Sequence, residues 1–421
     1  MATTKDPNSV LVLQGGGALG AYHIGAYRAL HEAGFAPGWI CGTSIGALNA
    51  AVLVGNRPQD RVERLEEFWD EISWPDLWGV EPPQGLERAF NTASNLSALM
   101  FGQPNFFGPY VPGPYLSLPG RKGATSFYDT SPMLRTLTRL ADFAVVNSGA
   151  TRISLGATNV TTGNVRFFDN KKRSSDGGRD VIGPAHALAS GSLPPGFPAT
   201  EIDGESYWDG GCVSNTPLDA VLNDLPTDHT VVFMVDLWDA AGPVPETIDQ
   251  VMWRQKNIQY ASRTAHHITE AAERVYLRSL LTAVRSRVPK DALDDPAIPN
   301  APHLGYEGKL DIVHVVYRPT DDQISSSDAE FSRSSIAKRS KAGYEDLKLA
   351  LRHAPWVGKE RPAAAVVVHR VVAGNVTRHV PTWPGDTAQS PGALTGAVVA
   401  TAGDGAATSG HRTHRTNGDR R

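Results

Sequence analysis

Ser44 lies at the centre of a glycine-flanked sequence that is typical of a catalytic serine. The G-x-S-x-G sequence from Gly42 to Gly46 follows an apolar run, residues 39–41, and precedes an apolar helical stretch, residues 47–54. Glycines lack a Cβ atom, so the chain can turn sharply and hold the serine hydroxyl above a sheet edge. The following helix directs free N–H groups and its positive dipole end to the same place. A Gly-Ser turn without chemistry is the alternative, because the short pattern is common.

A glycine-rich turn upstream of Ser44 is open to two interpretations. It contains Gly15, Gly16, Gly17 and Gly20 and follows the apolar run 9–13. A dinucleotide site would place pyrophosphate at the following helix and would need an acidic residue at the end of the second strand. The second predicted strand ends without Asp or Glu. An oxyanion hole, in which backbone N–H groups stabilise a negative oxygen, is therefore favoured.

A serine nucleophile needs a base, and a histidine is the usual choice. The chain has 13 histidines, so a Ser-His-Asp triad stays open. In the common α/β-hydrolase order the histidine comes last, which points to His303 or His314. His314 lies within a predicted strand, as core histidines often do, and His303 lies in a proline-rich loop without a motif.

Asp209 is the better candidate for the base. Gly210 and Gly211 follow it directly, so the backbone can bend and bring the carboxylate to another loop. An Asp-Gly turn without function is the alternative, since such turns are common.

Taken in chain order, the three motifs resemble the patatin-like phospholipase family. They are the glycine turn at 15–20, the G-x-S-x-G sequence at 42–46 and the D-G-G sequence at 209–211. The segment 189–195, Ala-Ser-Gly-Ser-Leu-Pro-Pro, resembles a further family motif, and so does the run that ends in Asn-Thr-Pro at 215–217. The resemblance covers about residues 10–237.

The resemblance implies a Ser-Asp dyad without a histidine. Ser44 would attack an ester carbonyl and Asp209 would act as the base. The N–H groups of Gly15, Gly16 and Gly17 would stabilise the oxyanion, and no metal ion or cofactor is expected. Leu19 stands where many members carry Arg or Lys, which weakens the expectation of a preference for strongly anionic headgroups. The turns would depend on the remaining motif glycines, Gly20, Gly42, Gly46, Gly210 and Gly211.

Alternating strands and helices predict an α/β fold. The resemblance implies three α/β/α layers with a mainly parallel central sheet, a serine at a nucleophile elbow, a helical C-terminal extension and a disordered tail. Residues 1–240 would form the acyl hydrolase domain and residues 241–358 the extension. Residues 359–421 would form a low-complexity tail, largely disordered for want of large apolar residues, although its apolar run 363–372 allows a strand. The extension resembles one found in a bacterial subgroup, and we expect it to cover the sheet.

Residues 74–123 form a long insertion within the predicted hydrolase domain. The insertion is rich in proline, glycine and aromatic residues. Long connections near a site are often lids or binding loops. We expect a lid or acyl-chain channel, and a permanent structural cover is the alternative.

Composition excludes several classes of protein. Of the 421 residues, 41% are hydrophobic, which excludes disorder of the whole chain. A net charge of −4 excludes bulk nucleic-acid binding, and only two cysteines, Cys41 and Cys212, exclude a disulfide scaffold. The N-terminus lacks the pattern of a signal peptide, and no apolar run is long enough to span a membrane. We expect a cytoplasmic protein, with peripheral membrane contact left open.

The predicted function is a serine acyl hydrolase that acts on a lipid or other acyl ester. A non-catalytic binding or scaffold protein with the patatin fold is the alternative. A nucleotide-dependent oxidoreductase is disfavoured because the acidic ribose partner is missing. The sequence does not define the headgroup, the chain length or a protein partner.

Overall fold

The computed structural model describes most of the chain. The described residues are 8–74, 97–98, 100–121, 123–171, 178–289, 292, 305–319, 325–354, 356, 365–372 and 374–380. Three predicted features therefore lie outside it: residues 75–96 of the insertion, the loop with His303 and the tail beyond residue 380.

Ten strands form one central sheet. They are β1 (Asn8–Leu13), β2 (Trp39–Thr43), β5 (Arg152–Asn159), β6 (Val165–Asp169), β7 (Thr200–Ile202), β8 (Glu205–Asp209), β9 (Thr230–Asp236), β10 (Leu310–Val316), β11 (Val366–Val372) and β12 (Asn375–His379). The strand order is β12-β11-β10-β9-β1-β2-β5-β8-β7, with β6 also paired to β5. The six central strands from β11 to β5 are parallel. The remaining four are antiparallel to their neighbours.

Helices cover both faces of this sheet. They are α1 (Tyr22–Glu32), α2 (Ile45–Val54), α3 (Arg61–Glu71), α4 (Ser131–Leu140), α5 (Phe143–Asn147), α6 (Pro184–Ser190), α7 (Leu218–Asn223), α8 (Ile248–Arg285) and α9 (Arg333–His353). Alternate strand residues point to opposite faces. In β1, Leu11 and Leu13 join the core beneath α1, α2 and α9, whereas Val10 and Val12 join the core beneath α7 and α8. The predicted three-layer α/β fold with a mainly parallel sheet is confirmed.

The C-terminal part of the chain contributes directly to the sheet. β10 pairs in parallel with β9, and β11 pairs in parallel with β10. β11 and β12 both lie within residues 359–421, where the sequence predicts a disordered tail. The strand that the sequence allows at residues 363–372 is present as β11, which is valine-rich and largely buried against β10 and the helices, whereas β12 is an element that the sequence did not indicate. The remainder of the domain division stays a prediction.

Part of the insertion forms a small sheet of its own. β3 (Gly108–Pro109) pairs antiparallel with β4 (Tyr128–Asp129). The loop that connects β3 to β4 contains the 3₁₀ turn Pro114–Leu116. Among the described residues, no helix combines the length and apolar character needed to cross a bilayer.

Candidate active site

Ser44 sits at a strained turn between β2 and α2. Its backbone has φ 57° and ψ −128°, a left-handed region that serine rarely adopts. The turn closes only because its flanking residues are glycines. A Cβ atom on Gly42 would lie 2.3 Å from the carbonyl oxygen of Gly46, and one on Gly46 would lie 2.2 Å from that of Leu13. Backbone strain of this kind concentrates at functional sites.

A second serine fixes this turn to the sheet. Ser190, the last residue of α6, accepts a hydrogen bond from the Ser44 N–H at 3.0 Å. The Ser190 hydroxyl donates in turn to the carbonyl oxygen of Gly156 in β5. Ser190 lies within the segment 189–195, where the sequence showed a motif but no role. The structure makes it a positioning residue for Ser44.

Asp209 lies at the end of β8, and β5 separates that strand from β2. Its side chain accepts a hydrogen bond from the Gly211 N–H at 2.7 Å, and both Asp209 and Ser44 line the same cavity. Asp209 is only 1% exposed. Burial raises its pKa to about 7, and the polar groups of Ser44 and Gly211 lower the pKa to a smaller extent. Gly210 is needed for the close approach, because a Cβ atom there would lie 2.5 Å from the Gly156 carbonyl oxygen.

The glycine turn after β1 borders Ser44 on the other side. Gly15 does not fit its predicted role as an oxyanion donor, because its N–H donates to the Asn215 carbonyl oxygen at 3.1 Å. Gly16 and Gly17 line the cavity beside Ser44. Among the described residues, neither N–H donates to a backbone carbonyl oxygen outside the 3₁₀ turn Gly17–Ala21. The structure thus reduces the candidate donors to two.

These glycines are restricted by protein atoms. A Cβ atom on Gly16 would lie 2.8 Å from Cδ1 of Leu237. Gly17 has φ 55°, and a Cβ atom there would lie 2.2 Å from the Asp328 carbonyl oxygen. A Cβ atom on Gly20 would come similarly close to the side chain of Ile45. Because an added side chain at any of these glycines would meet protein atoms, substitution would shift the turn itself as well as narrow the space for a substrate.

A cavity of about 300 Å³ opens beside Ser44 and Asp209. Its wall is largely apolar, and Phe106 and Phe107 from the insertion are part of it. Both rings are buried and contact the ring of Phe197. No histidine is found among the described residues that line the cavity.

Another part of the wall comes from the predicted extension. Asp328, Ala329 and Phe331 line the cavity, and Tyr260 of α8 joins them. This segment is held by Arg339 of α9. Its buried guanidinium donates to three carbonyl oxygens, those of Ser327 at 3.0 Å, Glu330 at 2.7 Å and Ala18 at 3.0 Å. Sequence reasoning missed this wall, because residues 327–331 carry no motif. The extension is thus part of the site as well as a cover for the sheet.

The histidines that the structure describes near the sheet are engaged elsewhere. His314 bonds Asp236 through Nε2 at 2.8 Å. His229 and His369 both contact the carboxylate of Asp311, at 2.7 Å and 2.9 Å. No set of three His, Cys, Asp or Glu side chains suited to a metal ion occurs within the described part of the chain.

Comparison with protein families agrees with this geometry. The family described as patatin-like phospholipase matches residues 11–222. The chain belongs to the patatin-like phospholipase family. A second family, described as patatin phospholipase, matches residues 258–363. The family predicted from the motifs is therefore confirmed, and the patatin match includes both Ser44 and Asp209.

Individual relatives of this patatin-like chain are distant. Triacylglycerol lipase ptl3 of Schizosaccharomyces pombe is 45% identical over 61 residues, which are 14% of this chain and 13% of the lipase. VipD of Legionella pneumophila is 14% identical with a TM-score of 0.34, over 83% of this chain and 67% of VipD. Human GIVD cytosolic phospholipase A2 is 11% identical with a TM-score of 0.40, over 82% of this chain and 58% of that enzyme.

Proposed function

We propose that this protein hydrolyses lipid esters through an acyl-enzyme on Ser44. One observation carries the proposal: the buried Asp209 carboxylate and the strained Ser44 line the same largely apolar cavity. Family membership supports an ester substrate. The partial match to a triacylglycerol lipase makes a lipid the natural choice.

In the first half-reaction, Asp209 takes the hydroxyl proton as the Ser44 Oγ attacks the ester carbonyl carbon. The carbonyl oxygen becomes negative, and we assign its stabilisation to the N–H groups of Gly16 and Gly17. The tetrahedral intermediate then collapses. The bond to the leaving alcohol breaks, Asp209 returns the proton to that alcohol, and the acyl group stays on Ser44.

In the second half-reaction, a water molecule replaces the alcohol. Asp209 takes a proton from this water, whose oxygen attacks the acyl-enzyme carbonyl. Collapse breaks the bond to Oγ, the proton returns to Ser44, and the fatty acid leaves. A raised pKa suits both steps, since a base with a pKa near the working pH can accept and return a proton.

The apolar wall supports a fatty acyl chain as the group that enters the cavity. Phe106, Phe107 and Phe331 offer no charge to a polar headgroup. Each methylene buried there contributes about 0.8 kcal/mol to binding. We propose that this cavity is the acyl-chain channel expected from the insertion. We also propose a cytoplasmic location for the protein.

A fluorophosphonate probe tests the proposal directly. We expect the probe to label the protein at Ser44 and Ser44→Ala to abolish labelling. We expect Asp209→Asn, which preserves shape but removes the negative charge, to reduce turnover of p-nitrophenyl esters by roughly 1,000-fold or more.

His314→Ala is the matched control for the base, since His314 contacts Asp236 outside the cavity. We expect this variant to retain turnover. A protein that hydrolyses no ester and resists the probe would support the scaffold alternative, and loss of activity in the histidine variant alone would restore the triad.

A further inference from the structure

A short loop of the insertion exposes large apolar side chains to solvent. Val111, Tyr115, Leu116 and Leu118 are 90%, 91%, 82% and 70% exposed. Together with the partly exposed Phe127 and Leu193 they form what we call the loop patch. Contiguous apolar surface of this kind usually marks an interaction site.

The loop holds these side chains outward in a defined backbone conformation. Residues Pro114–Leu116 form a 3₁₀ turn, and the Ser117 hydroxyl bonds the carbonyl oxygens of Pro112 and Gly113 at 3.2 Å and 3.1 Å. The Tyr110 N–H donates to the Phe127 carbonyl oxygen at 3.0 Å, which closes the base of the loop. The exposure therefore follows from an ordered fold of the loop.

The loop patch adjoins the rim of the catalytic cavity. The Phe127 N–H contacts the carbonyl oxygens of Pro195 and Gly196, at 3.3 Å and 3.1 Å, and both residues line the cavity. Leu193 belongs to the patch and to the cavity wall. A surface that covered the patch would lie against the opening through which an acyl chain must enter.

The charge of this segment indicates what covers it. Between residues 106 and 128 the sequence contains no Asp or Glu, and its charged residues are Arg121 and Lys122, which follow Leu118 closely in the sequence. Apolar side chains enter the acyl boundary of a bilayer while neighbouring cations contact anionic headgroups. From these observations we infer that the loop patch docks on a lipid surface that contains anionic lipids and aligns the cavity with it. This inference rests on the proposed function, since it names the surface that presents the substrate.

A second apolar surface provides the internal comparison. Leu277, Leu280, Leu281 and Val284 are also partly exposed, near the end of α8. That end of α8 contacts residues 305–306, ahead of β10, at the amino ends of the parallel strands. Ser44 follows the carboxyl end of β2, so the α8 surface lies at the opposite end of the sheet. Docking there would not bring lipid to the cavity.

The test measures co-sedimentation with vesicles in a Ser44→Ala background, so that binding is separated from turnover. The vesicles are phosphatidylcholine mixed with phosphatidylglycerol, compared with phosphatidylcholine alone. We expect binding to the mixed vesicles and about tenfold weaker partition for Leu116→Asp/Leu118→Asp, because charge opposes insertion. Leu116→Ser/Leu118→Ser is the second variant, should the charged one fold poorly. Leu281→Asp/Val284→Asp is the matched control and should bind like the parent.

Turnover of the soluble ester p-nitrophenyl butyrate, measured with Ser44 intact, separates this inference from the proposed function. We expect the loop variant to retain it while losing activity on vesicles. Equal vesicle binding by the loop variant, or loss only in the α8 variant, would overturn the docking surface. So would a change in oligomeric state in the loop variant without a change in vesicle binding, since a second copy would then cover the patch. Vesicle binding without any ester turnover would leave docking intact and reject the proposed function.

Discussion

The two sides of the catalytic cavity are held in place by different physical means. On the serine side, Gly42, Gly46 and Gly210 leave no room for a side chain, and the backbone turns alone place Ser44 beside Asp209. On the wall formed by residues 327–331, the Arg339 guanidinium binds the carbonyl oxygens of Ser327, Glu330 and Ala18. The Ala18 oxygen that Arg339 binds is 321 positions away in sequence. Steric fit within short motifs builds the first side, and long-range polar contacts build the second.

The largest effect is expected on the serine side. Gly46→Ala would place a Cβ atom 2.2 Å from the Leu13 carbonyl oxygen, so β1 and the turn must separate. Since a displacement of about 1 Å can reduce turnover 100-fold, we expect at least roughly that loss in kcat. Gly38→Ala is the matched control, because nothing lies within 4 Å of its added Cβ atom. Equal activity in both variants would mean that the turn tolerates a side chain.

Arg339→Met tests the wall formed by residues 327–331. The change leaves buried carbonyl oxygens and the buried carboxylate of Glu330 without their cation. Loss of one partner of a buried pair costs about 3–5 kcal/mol in the free energy of unfolding. We expect a lower melting temperature and about tenfold lower kcat, with partial rescue of kcat in Arg339→Lys.

Arg333→Met is the control for this change. Arg333 lies on the same helix as Arg339, α9, and forms an exposed ion pair with Asp70 of α3. The control variant should alter neither quantity by much, since exposed pairs contribute at most about 1 kcal/mol. A purely structural role of Arg339 would lower the melting temperature while leaving kcat unchanged in the folded fraction.

The pH dependence separates the two sides further, because the buried base belongs to the serine side alone. Asp209 must be ionised to accept a proton, so kcat/KM should fall about tenfold per pH unit below its pKa of about 7. The sign for stability is opposite. The folded state binds this proton more tightly than the unfolded chain, so ionisation between pH 3.8 and about 7 lowers the free energy of unfolding.

Asp209→Asn removes that cost. By linkage it should raise the free energy of unfolding at pH 8 by up to roughly 4 kcal/mol, and much less near pH 4. Thermal unfolding at the two pH values measures the difference. Equal gains at both would show that burial of the charge is not the cause.

The smallest effect concerns the aromatic wall. Phe106→Ala/Phe107→Ala removes two rings from the cavity lining and should weaken the dependence of kcat/KM on acyl length, by a few-fold for long chains. Activity on a series of p-nitrophenyl esters measures this. An unchanged chain-length profile in a folded double variant would mean that the rings only cover the sheet.

What the sequence could predict follows this same division. The strand-turn-helix around Ser44 and the turn at Asp209 depend on glycines that the sequence displays directly. The role of Gly15 could not be predicted, because its N–H donates to the carbonyl oxygen of Asn215, which belongs to a loop distant in the sequence. Phe331 and Arg339 were missed for a similar reason: their contacts join segments that are remote in the chain. β11 falls on a valine-rich run that the sequence marks as a possible strand, whereas β12 has no such run and depends on its pairing with β11.

The contacts of Arg339 also bear on the order in which the chain is synthesised. A nascent chain of 240 residues already contains Ser44 and Asp209 but neither the wall at Asp328 nor the guanidinium that binds Ala18. Domains generally fold from the N-terminus as they leave the ribosome. The cavity is therefore complete only after α9 has emerged and packed. A partly synthesised chain would therefore contain Ser44 and Asp209 before the cavity beside them is complete.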